Sequence, residues 1–368
     1  MNIYVNGRFL TQAVTGVQRY AIELVKQWDV LLEAEREAAG GEARHDVKLL
    51  VPPGALHDLR LSQIEVRQTS VDGWSSGHLW EQLVLPWHAR DGWLVNLCNT
   101  GPLLKRRQVA TIHDSAVFAY PASFSFAFRN AYKVIQRGLG VMAGVIVTAS
   151  EFSKSELVKH CRIPAGKIRV VPLGSEHMQG VKPDASIYGQ LGIAPGRYVL
   201  AVSSHNPSKN FANLARAFER LRDADYEIVI AGASNARVFG RSELPRSDRV
   251  KLAGYVSDEQ LKALYEGASC FVYPSLYEGF GLPPLEAMSC GTPVIVSTAA
   301  SLPEVCRDAA LYCDPHRPDD IARQIDRMMR ETGTRERLGD SGRRQAAQYS
   351  WELCARQTLD VVKEAVQS

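Results

Sequence analysis

The sequence predicts an α/β protein built from two doubly wound, parallel-sheet domains. Three observations carry that expectation. The chain has 368 residues, long for one hydrophobic core and natural for two. Short apolar runs alternate with helical patterns, the alternation that builds parallel sheets. It breaks once, over residues 172–197, "PLGSEHMQGVKPDASIYGQLGIAPGR", where prolines and glycines interrupt all periodicity. That stretch reads as the linker between an N-terminal domain, residues 1–178, and a C-terminal domain, residues 190–348.

In the first half, "NIYVNG" reads as a strand and "GVQRYAIELVKQW" as a helix, with apolar residues at helical spacing. "HDVKLLVPP", "WLVNLC", "QVATIHD" and "AGVIVTAS" read as strands that stop at Pro, Asn, His-Asp or Ser. "SEFSKSELVKHC" is a helix with serine caps among Ser150, Ser153 and Ser155, and "KIRVVPLG" is another strand. In the second half "YVLAVSS", "YEIVIAGAS", "VKLAGYV", "CFVYPS", "TPVIVST" and "ALYCDP" read as strands. "NFANLARAFERL" is a helix, and "SDEQLKALYEGA" is one opened by a capping box of Ser257 and Gln260.

Composition narrows the class. With 45% hydrophobic and 23% charged residues, the balance is that of a soluble globular protein. The longest apolar stretch, "GVMAGVIVTA", is about half the ~20 residues that cross a bilayer. "MNIYVNGRFL" lacks the layout of a signal peptide. The seven cysteines show no C-x2-C pair and no zinc-like spacing, so they read as reduced thiols, mostly buried like Cys270, Cys290 and Cys306, in a cytoplasmic protein. A net charge of +3 does not argue for nucleic acid. The basic excess lies in the first half, which fits an anionic membrane surface or a phosphate-bearing substrate, and equally an ordinary scatter of charge.

Sheets of this kind bind ligands at the C-terminal ends of their strands, and the unusual residues fall there: Gly16, His113 and Asp114, Ser204 to Lys209, and residues 274–286. In "YPSLYEGFGLPPLEAM", Gly279 and Gly281 permit positive φ and close approach of a ligand, and Pro283 and Pro284 suit the first turn of a helix. Such a helix start attracts anions, phosphate above all. The loop is neither a P-loop nor G-x-G-x-x-G, because the sixth position is Pro284. Glu278 and Glu286 bracket it. One carboxylate for a transferred sugar, backbone N–H groups for a diphosphate and a second carboxylate for a ribose would match a nucleotide sugar. Acids that merely favour a helix N-terminus are the plainer reading.

These residues resemble a known family. "YPSLYEGFGLPPLEAMSCGTPVIVSTAASLPEV" is similar to the signature of retaining glycosyltransferases of family GT4, which have the GT-B fold. The resemblance runs through "TGVQRYAIEL", "TIHDSAVFAYP", "SSHNPSKNF" and "YSWELCARQTLDVV" and so covers nearly the whole chain. It implies two Rossmann-like domains facing a cleft, an acceptor-binding N-terminal domain and a donor-binding C-terminal one. The helix of residues 351–368 would cross back onto the first domain. It implies transfer with retention and without metal or cofactor, the nucleotide sugar being a substrate. Glu278 would match the glutamate at the donor sugar and Glu286 the one on the ribose. The N–H groups of Phe280, Gly281 and Leu282, beside Gly279, would hold the diphosphate. Lys209 would neutralise it, Gly16 would lie under it, and His113 would reach the transferred sugar, so that His113, Glu278 and Lys209 are the catalytic candidates. Many relatives carry an arginine five residues before the lysine. Here that position is Ser204, followed by His205, and both join Lys209 as donor-binding candidates.

Breaking a sugar–phosphate bond leaves negative charge on the diphosphate, and preorganised donors there are the main source of rate. No nucleophile is evident for the opposite sugar face, and the resemblance implies a front-side mechanism in which the leaving phosphate helps to deprotonate the acceptor hydroxyl. His113 and Asp114 have a local reading as well, capping the next helix. Trp80 in "HLWEQLVLP", Asn99 in "NLCNTGPLLKRR" and Asp114 are candidates for the acceptor side. Residues 121–140 set Phe124, Phe126 and Phe128 beside Arg129, Lys133 and Arg137, a pattern that suits a membrane interface or core packing. On the first reading the acceptor is a lipid-linked sugar, made into a surface polysaccharide at the inner face of the cell membrane. The resemblance of "TGVQRY" and "HNPSKN" to bacterial relatives of that kind implies mannose or a related sugar from a GDP donor, GDP-mannose being the expectation. The rival readings are a nucleotide-sugar 2-epimerase, a sugar phosphorylase and a non-catalytic nucleotide-sugar binding protein. A glycoside hydrolase and an NAD enzyme fit poorly.

Overall fold

Runs such as Ile3–Val5 and Val145–Val147 are apolar at every position rather than at alternate ones, so they suit strands covered on both faces. The computed structural model describes residues 2–40, 46–71, 77–202, 206–221, 225–232 and 249–367. Its contacts divide the chain into two units, Met1–Leu173 with Trp351–Ser368, and Gly174–Ser350.

The first unit holds seven strands: β1 (Asn2–Asn6), β2 (Asp46–Val51), β3 (Glu65–Gln68), β4 (Trp93–Asn96), β5 (Gln108–Thr111), β6 (Val145–Thr148) and β7 (Ile168–Val170). They pair in the order β3-β2-β1-β4-β5-β6-β7, every pair parallel. Ile3 lies opposite both Val47 and Trp93, and Val5, Leu49, Leu94, Val95 and Val109 are wholly buried. The strand order reverses direction between β1 and β4, the switch point where such sheets open a crevice.

Helix Gly16–Ala38 starts at a capping box of Thr15 and Gln18. Helix Trp351–Gln367 packs against it: the Trp28 indole N–H donates to the Ala355 carbonyl at 2.8 Å, and Lys363 pairs with Glu35. Trp28 and Trp351 are fully buried there. The helix from Glu151 is capped by Ser150, whose hydroxyl accepts the Ser153 N–H. Between Gly77 and His88 the chain forms helical turns with a π-helical stretch, Trp80–Val84.

The second unit holds β8 (Tyr198–Val202), β9 (Glu227–Ala231), β10 (Val250–Gly254), β11 (Cys270–Tyr273), β12 (Val294–Ser297) and β13 (Ala310–Cys313). Their order is β10-β9-β8-β11-β12-β13, again all parallel, with the switch point between β8 and β11. The predicted capping box is present, Ser257 and Gln260 each accepting the other's N–H.

One strand was not predicted. Edge strand β3 has no apolar signature, because its "EVRQ" side chains are all exposed. The change of unit, after Leu173, falls within residues 172–197. They carry a 3-10 turn, Glu176–Met178, and a helix, Ser186–Leu191, that buries Ile187 and ends at Gly192 in the left-handed region. Among the described residues, no helix is long and apolar enough to cross a membrane.

Candidate functional site

The β8–β11 switch point of the second unit is where its polar side chains gather. After β8 the chain makes a 3-10 turn, Pro207–Lys209, capped by Asn206, whose side chain accepts the Ser208 N–H at 3.0 Å. Asn210 takes the left-handed conformation (φ 64°) and donates to the carbonyls of Pro274 and Pro315. The Leu276 N–H bonds the Ser208 carbonyl at 2.7 Å. These contacts lock the lysine turn to the chain leaving β11.

The result is a partly buried ion pair. The Lys209 ammonium donates to Glu278 Oε1 at 2.5 Å and to the Tyr273 hydroxyl at 3.0 Å. Ser275, itself buried, donates to the same carboxylate oxygen at 2.6 Å. Burial favours a neutral lysine, but the charge of Glu278 outweighs it and holds Lys209 well above the usual lysine range. Burial, reinforced by Glu278, likewise keeps Tyr273 a phenol.

Beyond Glu278 the loop turns into helix Leu282–Ser289 at Gly281, whose φ is 112°. A Cβ there would meet Leu302 Cδ2 at 2.8 Å, so both backbone angle and space require glycine. Ser301 pins the loop from outside, within hydrogen-bond range of the Glu278 and Phe280 carbonyls at 3.0 and 2.8 Å. The Phe280 ring is buried edge-on against Tyr349, so only its backbone is left to face a ligand. Glu286 follows within the helix, nearly buried. Tyr265 donates to its Oε2 at 3.1 Å and His177 Nε2 lies 3.2 Å from its Oε1. Ser204 and His205 lie outside the described residues.

In the first unit, His113 is buried at the end of β5. Its backbone N–H donates to Asn99 Oδ1 at 2.7 Å, and its ring meets Tyr20 edge-on at 4.6 Å. Nε2 lies 3.0 Å from the Leu97 carbonyl. A carbonyl only accepts, so Nε2 carries the proton and Nδ1 keeps its lone pair. Burial lowers the pKa to about 4, so the ring is neutral near pH 7. Asn99 is left-handed (φ 63°), the shape that delivers its side chain to His113. Asp114 Oδ1 accepts the Ala116 N–H at 2.9 Å and so caps the next turn. Gly16 is exposed, as the first residue of its helix.

Trp80 does not line an acceptor surface. It is fully buried with Tyr4, Leu50 and Leu94, and its indole N–H donates to the Thr69 carbonyl at 2.9 Å. The neighbouring Glu81 is the polar residue at this place. At the β1–β4 switch point its Oε1 accepts from Arg8 Nε (3.1 Å), Asn6 (2.9 Å) and Thr100 (2.8 Å). Burial raises the Glu81 pKa, but His78, Arg8, Asn6 and Thr100 together lower it further, keeping it ionised. Sequence reasoning missed this pair; the only signal was an arginine two residues beyond the first strand.

The chain thus has two parallel sheets of Rossmann-type strand order in separate units, and the second unit sets a lysine–glutamate pair beside a glycine-capped helix start. Residues 189–345 match the family described as Glycosyl transferases group 1. The O-antigen chain mannosyltransferase B of Escherichia coli is 31% identical over 384 residues, covering 95% of this chain and 96% of that protein. The MMP alpha-(1->4)-mannosyltransferase of Mycolicibacterium hassiacum is 33% identical over 60% of this chain and 54% of its own length. The sucrose-phosphate synthase structure from Thermosynechococcus elongatus superposes with a TM-score of 0.74 at 20% identity, over 99% of this chain and 98% of that one, and shows the fold. The chain belongs to the group 1 glycosyltransferases, of GT4 type with the GT-B fold, and is a glycosyltransferase.

Proposed function

We propose that the enzyme transfers mannose from GDP-mannose, with retention of configuration, to a saccharide carried on a lipid, in the assembly of a surface polysaccharide. The observation that carries the catalytic reading is the Lys209–Glu278 pair beside the Gly281 helix start. The lysine supplies positive charge for a diphosphate, the loop N–H groups supply donors, and Glu278 supplies acceptors for sugar hydroxyls. Mannose rests on the mannosyltransferases this chain resembles, and GDP on the family resemblance of the sequence. The bond from the anomeric carbon to the diphosphate breaks and its electron pair leaves with the phosphate. The acceptor oxygen bonds to the same face, and its proton passes to the departing phosphate oxygen. Lys209 stabilises that leaving group. His113, neutral and with Nδ1 as an acceptor, receives a hydroxyl rather than donating a proton.

A lipid-borne acceptor is supported by the surface of the first unit. Leu79, Leu83 and Trp87 are exposed at four-residue spacing, Trp87 to 64%. Leu104 is 86% exposed beside Arg90, Arg106 and Arg107. Phe126, Phe128, Val134 and Val141 are exposed on helix Phe126–Met142, which has three basic residues and no acid. Apolar side chains among cations match an anionic bilayer surface.

The test is a transfer assay with GDP-mannose and UDP-glucose, with and without a mannoside acceptor, after a thermal-shift comparison of GDP, UDP, dTDP and ADP. Stabilisation by GDP and acceptor-dependent release of GDP with an α-linked product are expected. Turnover of donor without acceptor would replace the reading with an epimerase. Binding without any turnover would replace it with a binding protein.

A further inference from the structure

Glu286 is held on both sides by groups far from it in sequence. Tyr265, fully buried in helix Asp258–Gly267, donates to Oε2 at 3.1 Å. His177 lies 3.2 Å from Oε1 and comes from the turn Glu176–Met178, which packs against helix Leu282–Ser289 and is anchored by buried Met178. Only a tenth of the Glu286 side chain is exposed, and a twentieth of His177. A buried carboxylate is costly unless it is hydrogen-bonded, and an apolar residue would pack this helix at less cost. Its retention with two dedicated donors points to use.

We infer that His177 and Tyr265 are positioning residues that aim the Glu286 carboxylate at the vicinal diol of the donor's ribose. The inference rests on the reading that Glu286 takes the ribose. A carboxylate offers about four acceptor positions. Tyr265 and His177 each fill one, which leaves two for a pair of neighbouring hydroxyls. Burial, with Glu286 adding to it, holds the Tyr265 pKa well above the usual range, so its hydroxyl donates at every working pH. His177 must present its proton at Nε2, since the carboxylate has none to give. The carboxylate is thus fixed in rotation before the ligand arrives, and binding does not have to order it.

The test measures dissociation constants for GDP, UDP and ADP, each beside its 2′-deoxy counterpart, with full-length protein. For the nucleotide that binds, the ribose form is expected to bind about tenfold more tightly than the deoxy form, the loss of one charge-assisted hydrogen bond. Glu286→Ala, His177→Ala and Tyr265→Phe should each remove most of that preference, weakening the ribose form more than the deoxy form, which has only its 3′-hydroxyl bond to lose. His177→Gln, which keeps an N–H donor, should restore it. In transfer assays the donor KM should rise about tenfold with kcat changed by less than about twofold. If His177→Ala and Tyr265→Phe keep the ribose preference while Glu286→Ala loses it, the inference is wrong and the donor reading stands. Equal losses for both sugars would reduce the two residues to structural ones and overturn it as well. A ribose preference untouched by Glu286→Ala, or no binding of any nucleotide, would overturn the donor reading and the inference with it. Should His177→Ala not fold, Tyr265→Phe, which removes one hydroxyl, decides the matter.

Discussion

Lys209 and Glu278 pair with each other, so on the donor-binding reading a diphosphate would draw the lysine from the glutamate or share it. This sets opposite expectations for two substitutions. Lys209→Ala strips the leaving group of its cation and strands a buried carboxylate. Turnover should fall by about two to three orders of magnitude, and the thermal shift with GDP should vanish. Glu278→Gln frees the lysine charge, so GDP affinity should hold or improve while turnover falls at least about tenfold. Titration of GDP into both variants, beside initial rates, checks the pair; near-normal rates in either would remove that residue from the site. His113 offers a pH test. Its folded pKa of about 4 lies below the ordinary 6.5, so the unfolded chain binds the proton more readily. The stability it contributes is full above about 6.5, falls as pH drops toward 4 and levels off below. The total is roughly 3 kcal/mol at 1.36 kcal/mol per pH unit. Denaturant unfolding of wild type and His113→Asn at several pH values should show that slope only in the wild type.

At the scale of elements, the site depends on how the loop after β11 becomes a helix. Gly281→Ala places a Cβ at positive φ and against Leu302, a strain of about 1–3 kcal/mol. The expected outcome is a lower melting temperature together with a smaller shift from nucleotide. A smaller shift at an unchanged melting temperature would mean that the loop simply re-forms. The strands at this scale were legible because their apolar runs are continuous. β3 was not, because an exposed edge strand with charged side chains has no periodic signal to read. The loop's Gly-Phe-Gly and double proline were legible for the same reason that they are needed, since few residues adopt those backbone angles. Tyr273, Ser275, Tyr265 and His177 were not. Tyr273 meets Lys209 across 64 residues of chain, and His177 meets Glu286 across 109. Only folding brings them together, and an isolated tyrosine or histidine looks like any core residue. Trp80 was misread for the converse reason: a large aromatic near a cleft-forming segment resembles a ligand platform until its burial is known.

At the scale of the whole molecule, the exposed row of Leu79, Leu83 and Trp87 and the arginines near Leu104 predict reversible attachment to anionic bilayers. Flotation with vesicles of phosphatidylglycerol and phosphatidylcholine should recover the protein, and phosphatidylcholine alone should not. Binding should weaken with salt. Leu83→Ser with Trp87→Ser should lose it, and Arg106→Glu with Arg107→Glu should lose it more steeply. Transfer to a water-soluble acceptor should be unchanged in both. Binding that ignores lipid charge and these residues would remove the proposed surface.

The chain leaves the first unit at Leu173 and returns to it at Trp351, where a helix closes over Trp28. On the ribosome this imposes an order of events. The second unit is made entirely between the two parts of the first, and at about 5–20 residues per second its synthesis occupies roughly ten to forty seconds. Through that interval the groove that receives Trp351 lacks the helix that buries it. The second unit has every residue it needs to fold before the first has its closing piece. The first unit therefore gains its last helix only after the whole of the second unit has been made.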